Sequence, residues 1–285
     1  YPTQYREGYG MWISELEKMP QLVKLLCMEA AFAVHAEDSV QTEKSLIAAL
    51  AFIRSVQGEC DSWTFTLRAD SIRIVLRFIA WALPQEIFDE PALIRLASDL
   101  DDQDDPESIR RAIIGDRAYT IVLVNRTSDS DHIASDVVGL WDQMAHTVLR
   151  GFTKTLAASE LPRAEGIAAC ETIIDEMNKH TFYAILGNVI WVPSLVPFAS
   201  LEARVRLGQS VMAVERYRLV YDQLPDTLGE LVPKFIDELP IDPFDGNLIR
   251  YEVWDSGYTL YSVGRNLTDE HGDATRDMTV GVNSL

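Results

Sequence analysis

Three oxygen-bearing side chains near the C-terminus are the first candidates for chemistry. Asn266, Asp269 and Asp273 lie within one short segment. Amide and carboxylate oxygens at such short spacing are the ligands that a hard cation prefers. The same residue types are also typical of a solvated polar turn, and the neighbouring Arg265 would repel a cation. The residues alone therefore leave two interpretations open at Asn266, Asp269 and Asp273, a solvated polar turn and a metal site.

The other reactive residue types do not show a spacing that catalysis requires. None of the five histidines belongs to an HExxH or HxxxH pair, and there is no nucleophile elbow, SxxK motif, P-loop or GxGxxG motif. One short cluster mixes acid, hydroxyl and imidazole, at Asp129-Ser130-Asp131-His132, and we interpret it as a helix N-cap. We predict no catalytic residue and no organic cofactor.

The three cysteines, Cys27, Cys60 and Cys170, are far apart and form no CxxC pair. Neither a zinc site nor a thioredoxin-type motif is therefore predicted. Cys27 lies in an apolar run and is predicted to be an inert core residue. A disulfide between Cys60 and Cys170 would require an oxidising compartment, and their spacing alone does not argue for it.

Length and composition exclude several classes of protein. The 285 residues are 47% hydrophobic, so the chain can bury a sizeable core and is not a disordered protein. Lys and Arg number 25 against 44 Asp and Glu, which gives a formal net charge of −19. That charge repels phosphate backbones, so we expect no nucleic-acid partner. It also disfavours anionic membrane surfaces, because the sequence contains no polybasic cluster.

The N-terminal half shows the spacing of helices. Leu22, Leu25, Leu26, Phe32 and Ala33 recur as one apolar face, which predicts a helix with these residues buried. We predict further helices over residues 39–58, 69–83, 91–100, 132–158, 163–180 and 201–220, with the β-branched run 119–124 also helical. The apolar stretch 181–201 contains Pro193 and Pro197 and is interpreted as buried helix and loop rather than a membrane span.

The acidic segment from Asp99 to Glu107 is predicted to mark a junction between two helices rather than a metal site. The aspartates between Asp99 and Asp105 lack the central Gly and closing Glu of an EF-hand loop. Asp105 is followed by Pro106 and Glu107, the residue types that favour an N-cap, a first helical position and a first turn. We therefore predict a solvated helix junction at this point.

The pattern changes after Asp222. Two strands are predicted, over 248–254 and 258–263, and Asp255-Ser256-Gly257 between them predicts a three-residue hairpin loop. An isolated hairpin would be marginally stable, so we expect it to pack on the helix that ends near Val220, through Val214, Tyr217 and either Val220 or Tyr221.

These elements together predict a mainly α fold. We expect an irregular multi-helix array over residues 1–200, followed over residues 201–285 by a small α+β unit that consists of a long helix and a β-hairpin. No fixed repeat is visible, so a regular solenoid is not predicted.

The last quarter of the chain resembles the C-terminal part of the major pseudopilins of type II secretion. The resemblance depends on the order of the following segments: Glu215-Arg216-Tyr217-Arg218-Leu219, Leu224-Pro225, Leu231-Val232-Pro233, Leu239-Pro240-Ile241-Asp242-Pro243-Phe244, and Gly257-Tyr258-Thr259-Leu260-Tyr261-Ser262-Val263-Gly264. No segment of residues 1–285 matches the pseudopilin anchor helix, and Phe244-Asp245-Gly246 replaces the usual Trp-Gly. The whole chain is similar to uncharacterised, often membrane-anchored bacterial helical proteins that carry this tail.

The resemblance implies a fold, a compartment and a metal. In pseudopilins the loop after the last strand commonly binds calcium, which implies calcium at Asn266, Asp269 and Asp273. Asp242 and Asp245 are expected to cap turns. An extracytoplasmic location, periplasmic or in the cell envelope, is also implied.

The resulting functional expectation is a non-enzymatic, extracytoplasmic protein-interaction module, linked to a secretion or cell-envelope assembly. We expect a protein partner, and contact with a membrane only through an anchor upstream of Tyr1. The alternative is a hydrolase whose residues converge only in three dimensions. The two hypotheses differ in what the surface should show: a hydrolase needs a deep pocket with convergent polar groups, whereas an interaction module needs a shallow groove or an exposed apolar patch.

Overall fold

The computed structural model describes residues 16–59, 61–103, 106–128, 138–179 and 194–283. Within them the chain is mainly helical, with a small antiparallel sheet near the C-terminus, so the predicted fold class is confirmed. The eight helices that the described residues contain are α1 (Met19–His35), α2 (Ser39–Arg54), α3 (Ser62–Ala82), α4 (Glu90–Asp101), α5 (Pro106–Ser128), α6 (Val138–Ala158), α7 (Arg163–Asn178) and α8 (Val196–Tyr221). The predicted boundary at 200/201 stays a prediction, and α8 begins at Val196.

Aspartate side chains start three of the helices. Asp38 accepts a hydrogen bond of 2.9 Å from the backbone N–H of Gln41, and Asp61 and Asp89 cap α3 and α4 in the same way. A carboxylate at this position satisfies an otherwise unpaired N–H group and faces the positive end of the helix dipole. Some of the acidic residues of the chain therefore serve as helix caps.

The predicted start and interior of α5 are confirmed, whereas α3 begins at Ser62 rather than at residue 69 and α2 ends at Arg54 rather than near residue 58. Helix α5 begins at Pro106, as predicted, whereas its proposed cap Asp105 lies outside the described residues. The same helix includes the β-branched run 119–124. The stretch 181–201 is described only from residue 194, where α8 begins shortly afterwards. Among the described helices, none is both long enough and apolar enough to cross a membrane.

Helix α8 lies at the centre of the described core. It packs on α3 and α4, and the rings of Phe65 and Phe198 meet edge to face at 4.5 Å. Gly208 permits the close approach, because a Cβ there would lie 2.7 Å from both Leu76 and Leu100. Most buried apolar residues of the helices and of the sheet belong to one hydrophobic cluster.

The face of α1 that packs inward is not the predicted one. Leu22, Leu25 and Phe32 are exposed, by 46%, 59% and 72%. The buried positions are instead Met19, Val23, Cys27, Ala30, Ala33 and Val34. Most of these side chains are smaller, and smaller residues allow α1 and α2 to approach closely. The prediction for α1 was therefore correct for the element and wrong for Leu22, Leu25 and Phe32, whereas Ala33 is buried and Leu26 is partly buried against the core.

The sheet has one strand more than predicted. Strands β1 (Arg250–Trp254), β2 (Gly257–Ser262) and β3 (Met278–Asn283) are antiparallel, in the order β1-β2-β3. Gly257 belongs to β2, where it pairs with Trp254 and Asn283, so the hairpin loop has two residues and not three. A Cβ at Gly257 would lie 2.0 Å from the carbonyl oxygen of Val282, which only glycine avoids.

The sheet packs on α8, as predicted. Val214 and Tyr217 are buried, while Val220 and Tyr221 are about half exposed. Tyr221 still contacts Tyr217, with ring centroids 4.6 Å apart. Both Tyr258 and Tyr261 are buried although they point to opposite faces of β2, because the segment between β2 and β3 covers the second face: Gly272 lies beside the Tyr261 ring.

Candidate functional site

The three predicted metal ligands lie in the segment between β2 and β3, where each has a separate partner. The amide of Asn266 donates to both carboxylate oxygens of Glu270, at 2.9 and 3.0 Å. Asp273 accepts from the backbone N–H and the hydroxyl of Thr275, and these bonds lower its pKa. Asn266 and Asp273 are thus each engaged by a different neighbour, Glu270 for one and Thr275 for the other.

Asp269 is held by groups that compete with a metal ion. Its Oδ1 accepts hydrogen bonds from the backbone N–H of His271 at 2.9 Å and from the Tyr261 hydroxyl at 3.1 Å. Its Oδ2 lies 3.6 Å from Nε of Arg250. The His271 N–H, the hydroxyl and the guanidinium all lower the pKa of Asp269. A cation would have to replace Arg250 as the charge partner, and calcium at this loop stays a prediction.

Arg250 joins three aspartates that lie in different turns. Its guanidinium pairs with Asp242 at 2.9 Å, with Asp245 and, at a longer distance, with Asp269. Burial raises the pKa of Asp245, but the hydrogen bonds from Arg250 and Asn247 outweigh burial, so that pKa is lowered. This arrangement connects the turn before β1 to the segment after β2.

Asp242 is the buried member of this group. Its Oδ1 accepts from the N–H of Phe244 at 3.0 Å and from the Ser262 hydroxyl at 2.8 Å, and its Oδ2 accepts from the N–H of Val263 at 3.0 Å. Burial nevertheless raises its pKa above the ordinary value. The Phe244 N–H donates to Asp242 and the Asn247 N–H donates to Asp245, and these two bonds cap the two turns as predicted.

A second carboxylate that the sequence did not indicate is buried on α8. Glu215 is only 2% exposed, accepts a hydrogen bond of 2.9 Å from the Tyr258 hydroxyl and pairs with Nε of Arg218 at 2.8 Å. Burial and the charge of Glu215 raise the pKa of Tyr258 well above its ordinary value, so the hydroxyl stays a donor. An acid inside a helix ordinarily indicates a solvated position, so sequence offered no signal for this one.

Glu215 borders a cavity of about 270 Å³ between the turn that follows α3, the end of α8 and the sheet. The residues that line it are Pro84, Glu86, Glu215, Arg218, Leu224, Gly257, Tyr258, Val282 and Asn283. Both oxygens of Glu215 already have partners, Tyr258 on one and Arg218 on the other. The buried carboxylate therefore ties the sheet to α8 through one oxygen and pairs with Arg218 through the other.

The histidines and cysteines are dispersed. His35 and His271 are exposed, whereas His132 and Cys60 lie outside the described residues, together with the cluster at 129–132. Cys27 is a buried free thiol, as predicted, and burial raises its pKa to about 11. Cys170 is buried and free as well. Within the described residues, no three His, Cys, Asp or Glu side chains lie together in a way that could hold a metal ion.

The outer side of α1 carries an exposed apolar surface, which we call the α1 stripe. It consists of Leu22, Leu25, Met28 and Phe32, which are between 46% and 72% exposed. Their spacing of three, three and four residues places them on one side of the helix, opposite the buried positions. Single exposed apolar residues are ordinary, whereas a continuous row of four large ones is typical of an interaction surface.

Aromatic residues extend this surface beyond α1. The ring of His35, at the end of α1, meets Trp81 of α3 edge-on, with centroids 5.9 Å apart. Trp81 is 43% exposed and contacts Phe78. The α1 stripe is thus followed by an exposed tryptophan at the end of the neighbouring helix.

Comparisons of the chain with protein-family models, with curated proteins and with solved structures found no match.

Proposed function

We propose that the protein is a non-enzymatic protein-interaction module that acts outside the cytoplasm, linked to a secretion or cell-envelope assembly. The observation that carries this proposal is the α1 stripe. The resemblance of the tail to the major pseudopilins is the basis for the compartment and for the link to an assembly.

The α1 stripe supports protein binding because exposing apolar side chains to water is unfavourable in free energy, and a bound partner would cover them. Burying apolar surface contributes roughly 25 cal/mol for each Å² removed from water, and Phe32 is the most exposed of the four side chains. The four residues span about 15 Å of helix, at 1.5 Å per residue. That length matches two to three turns of a partner helix or one short strand, so the contact is expected to be of the small, reversible class.

The internal contacts of the sheet support a role as a stable C-terminal unit. Glu215 and Tyr258 bond α8 to β2, and Tyr217 donates to Glu230 in the turn that follows α8, at 2.7 Å. These bonds hold the end of α8 to the sheet and to the turn that follows the helix.

The test is photo-crosslinking from position 32 of the full-length protein in the cells that make it. A photoreactive phenylalanine analogue replaces Phe32, whose exposed ring tolerates the change. We expect a discrete adduct with a second protein, and we expect Leu25→Glu to abolish the adduct, because the charge would have to enter the apolar contact.

The matched control carries the same analogue in place of Ile94, an exposed apolar residue on α4 (45%) that lies outside the α1 stripe. No adduct is expected from that position. The absence of any adduct from position 32, or an equal adduct from position 94, would contradict the proposal. Melting curves of every variant show whether the fold is intact.

A further inference from the structure

The surface between α1 and α8 is basic, although the protein is acidic. On α3, Arg73 and Arg77 precede Trp81 by about two turns and one turn, so the three side chains share one exposed face of the helix. Trp81 contacts His35 at the end of α1. The α3 face therefore lies next to the α1 stripe.

Arg204 extends this basic surface onto α8. It lies near Arg73 and Asp70, whose charges both act on its guanidinium. Burial, and then the like charge of Arg73, lower the pKa of Arg204 to about 10. Among the described residues its buried Nε has no hydrogen-bond partner. Asp70 is already 3.4 Å from Arg73, so positive charge is in excess here.

Lys24 completes the surface on the α1 side. It precedes His35 by three helical turns and therefore lies on the side of α1 that faces α3. It is exposed. We call Lys24, Arg73, Arg77 and Arg204 the basic strip. Sequence could not show it, because the four residues come from three helices.

The other flank of the α1 stripe has mixed charge. Lys18 precedes α1 and Glu29 lies on it, where Glu29 accepts a hydrogen bond of 3.1 Å from Gln41 on α2. Glu37 and Asp38 are exposed in the turn that follows α1. The apolar row is thus bordered by a basic strip on one side and by mainly acidic residues on the other.

We propose that the segment of the partner that contacts this surface is an amphipathic helix, which packs an apolar ridge on the α1 stripe and directs acidic side chains to the basic strip. This inference rests on the proposed function and names the partner's chemistry. A helix can present different charges on its two sides, as paired helices do at the positions that flank their apolar seam.

The asymmetry of the two flanks favours a protein helix over the other occupants. A uniformly anionic surface, such as a lipid bilayer, would meet Glu29, Glu37 and Asp38 as well as the basic strip. The formal charge of −19 would also oppose its approach. A second copy of the chain carries the same net charge and the same basic strip, so two copies repel each other.

The experiment extends the crosslinking from position 32 with a reversal of charge. Arg77→Glu in the crosslinking protein is expected to reduce the adduct yield about fivefold at low ionic strength and less at high salt, because exposed ion pairs are screened. The matched control is Arg150→Glu, the same change at an exposed arginine of α6, which should leave the yield unchanged. Replacing the acidic residue of the crosslinked partner segment with Lys should restore the yield with Arg77→Glu.

Each outcome distinguishes the inference from the proposed function. An adduct that Leu25→Glu abolishes and Arg77→Glu leaves unchanged overturns the acidic helix and leaves the proposed function standing. No adduct at all overturns both. An adduct with a second copy of the chain overturns the inference. The inference is also overturned if the protein binds phosphatidylglycerol vesicles and Leu25→Glu abolishes that binding.

Discussion

The hydroxyl of Tyr258 donates a hydrogen bond of 2.9 Å to the carboxylate of Glu215, and both side chains are almost fully buried. A hydrogen bond to a charged group contributes about 1.5 to 3 kcal/mol, and its loss would leave an underpaired carboxylate in the core. Tyr258→Phe should therefore lower the free energy of unfolding by that amount, as measured by denaturant melts.

The matched control for this prediction is Tyr251→Phe. The Tyr251 ring packs against Tyr258 at 5.8 Å, but its buried hydroxyl has no hydrogen-bond partner among the described residues. Removing that hydroxyl should leave stability unchanged or raise it slightly. Equal losses in the two variants would mean that the bond between Tyr258 and Glu215 does not stabilise the fold.

The central strand should be sensitive on both faces. Tyr258→Ala and Tyr261→Ala should each cost about 3 to 5 kcal/mol, the range for truncation of a large buried aromatic side chain. Thr259 lies between them and is partly exposed, so Thr259→Ala should cost under about 1 kcal/mol. Denaturant melts measure all three. A Tyr261 variant that unfolds like the parent protein would show that the segment between β2 and β3 does not cover that ring in solution.

Substitution of leucine by alanine should have very different effects on stability on the two sides of the first helical hairpin. Leu50 of α2 has no exposed surface, so Leu50→Ala should cost about 2 to 5 kcal/mol. Leu25 is 59% exposed, so Leu25→Ala should stay within about 0.5 kcal/mol of the parent. Thermal and denaturant melts decide the matter, and a large loss from Leu25→Ala would restore the face of α1 that the sequence predicted to be buried.

Glu230 should make stability depend on acidity. The Tyr217 hydroxyl, together with the backbone N–H groups of Asp226 and Thr227, lowers the pKa of Glu230 below its ordinary 4.5. Its stabilising contribution is therefore present above pH 4.5 and is lost as the pH falls through the lowered pKa. Denaturant melts between about pH 3 and pH 6 should show a shallower acid loss for Glu230→Gln. Tyr217→Phe should act in the same direction, and identical slopes in parent and variants would contradict this assignment.

Calcium is the ligand that the resemblance implies for Asn266, Asp269 and Asp273. If it binds the native state only, titration of the chelator-treated protein should release or absorb heat and raise the melting temperature. Asp273→Asn should weaken both effects, and Arg250→Gln should strengthen them by freeing Asp269. Millimolar calcium is on the order of 10³ times a typical protein concentration. If the parent protein then gives neither heat nor a shift in melting temperature, calcium does not bind at these residues.

Much of this fold was predicted from local signals. Such signals can be read from the sequence because they depend on residues that are close together in the chain. Helix α4 follows from Pro91 at its start and from leucines spaced along one side. The turns at Asp242 and Asp245 follow from short polar side chains that bond to backbone two residues later. In each case the partners are close in sequence.

The failures concern choices that only tertiary packing makes. Helix α1 has apolar residues on most sides, so periodicity could not decide between Leu25 and Val23 as the buried residue. Strand β3 alternates Met278, Val280 and Val282, a weak signal that Gly281 and a polar segment before it obscured. The basic strip and the buried Glu215 depend on residues from different elements, which no linear spacing records.

The packing of β3 against α3 imposes an order on biosynthesis. While a ribosome makes this protein, α3 emerges early, and the nascent chain must then extend through the whole helical array before β3 can pair with Tyr258. Until then the apolar side of β2 and the end of α3 lack their final cover, and incompletely covered apolar surface is prone to aggregation. The chain should therefore depend on chaperones that bind unfolded segments late in its synthesis rather than early.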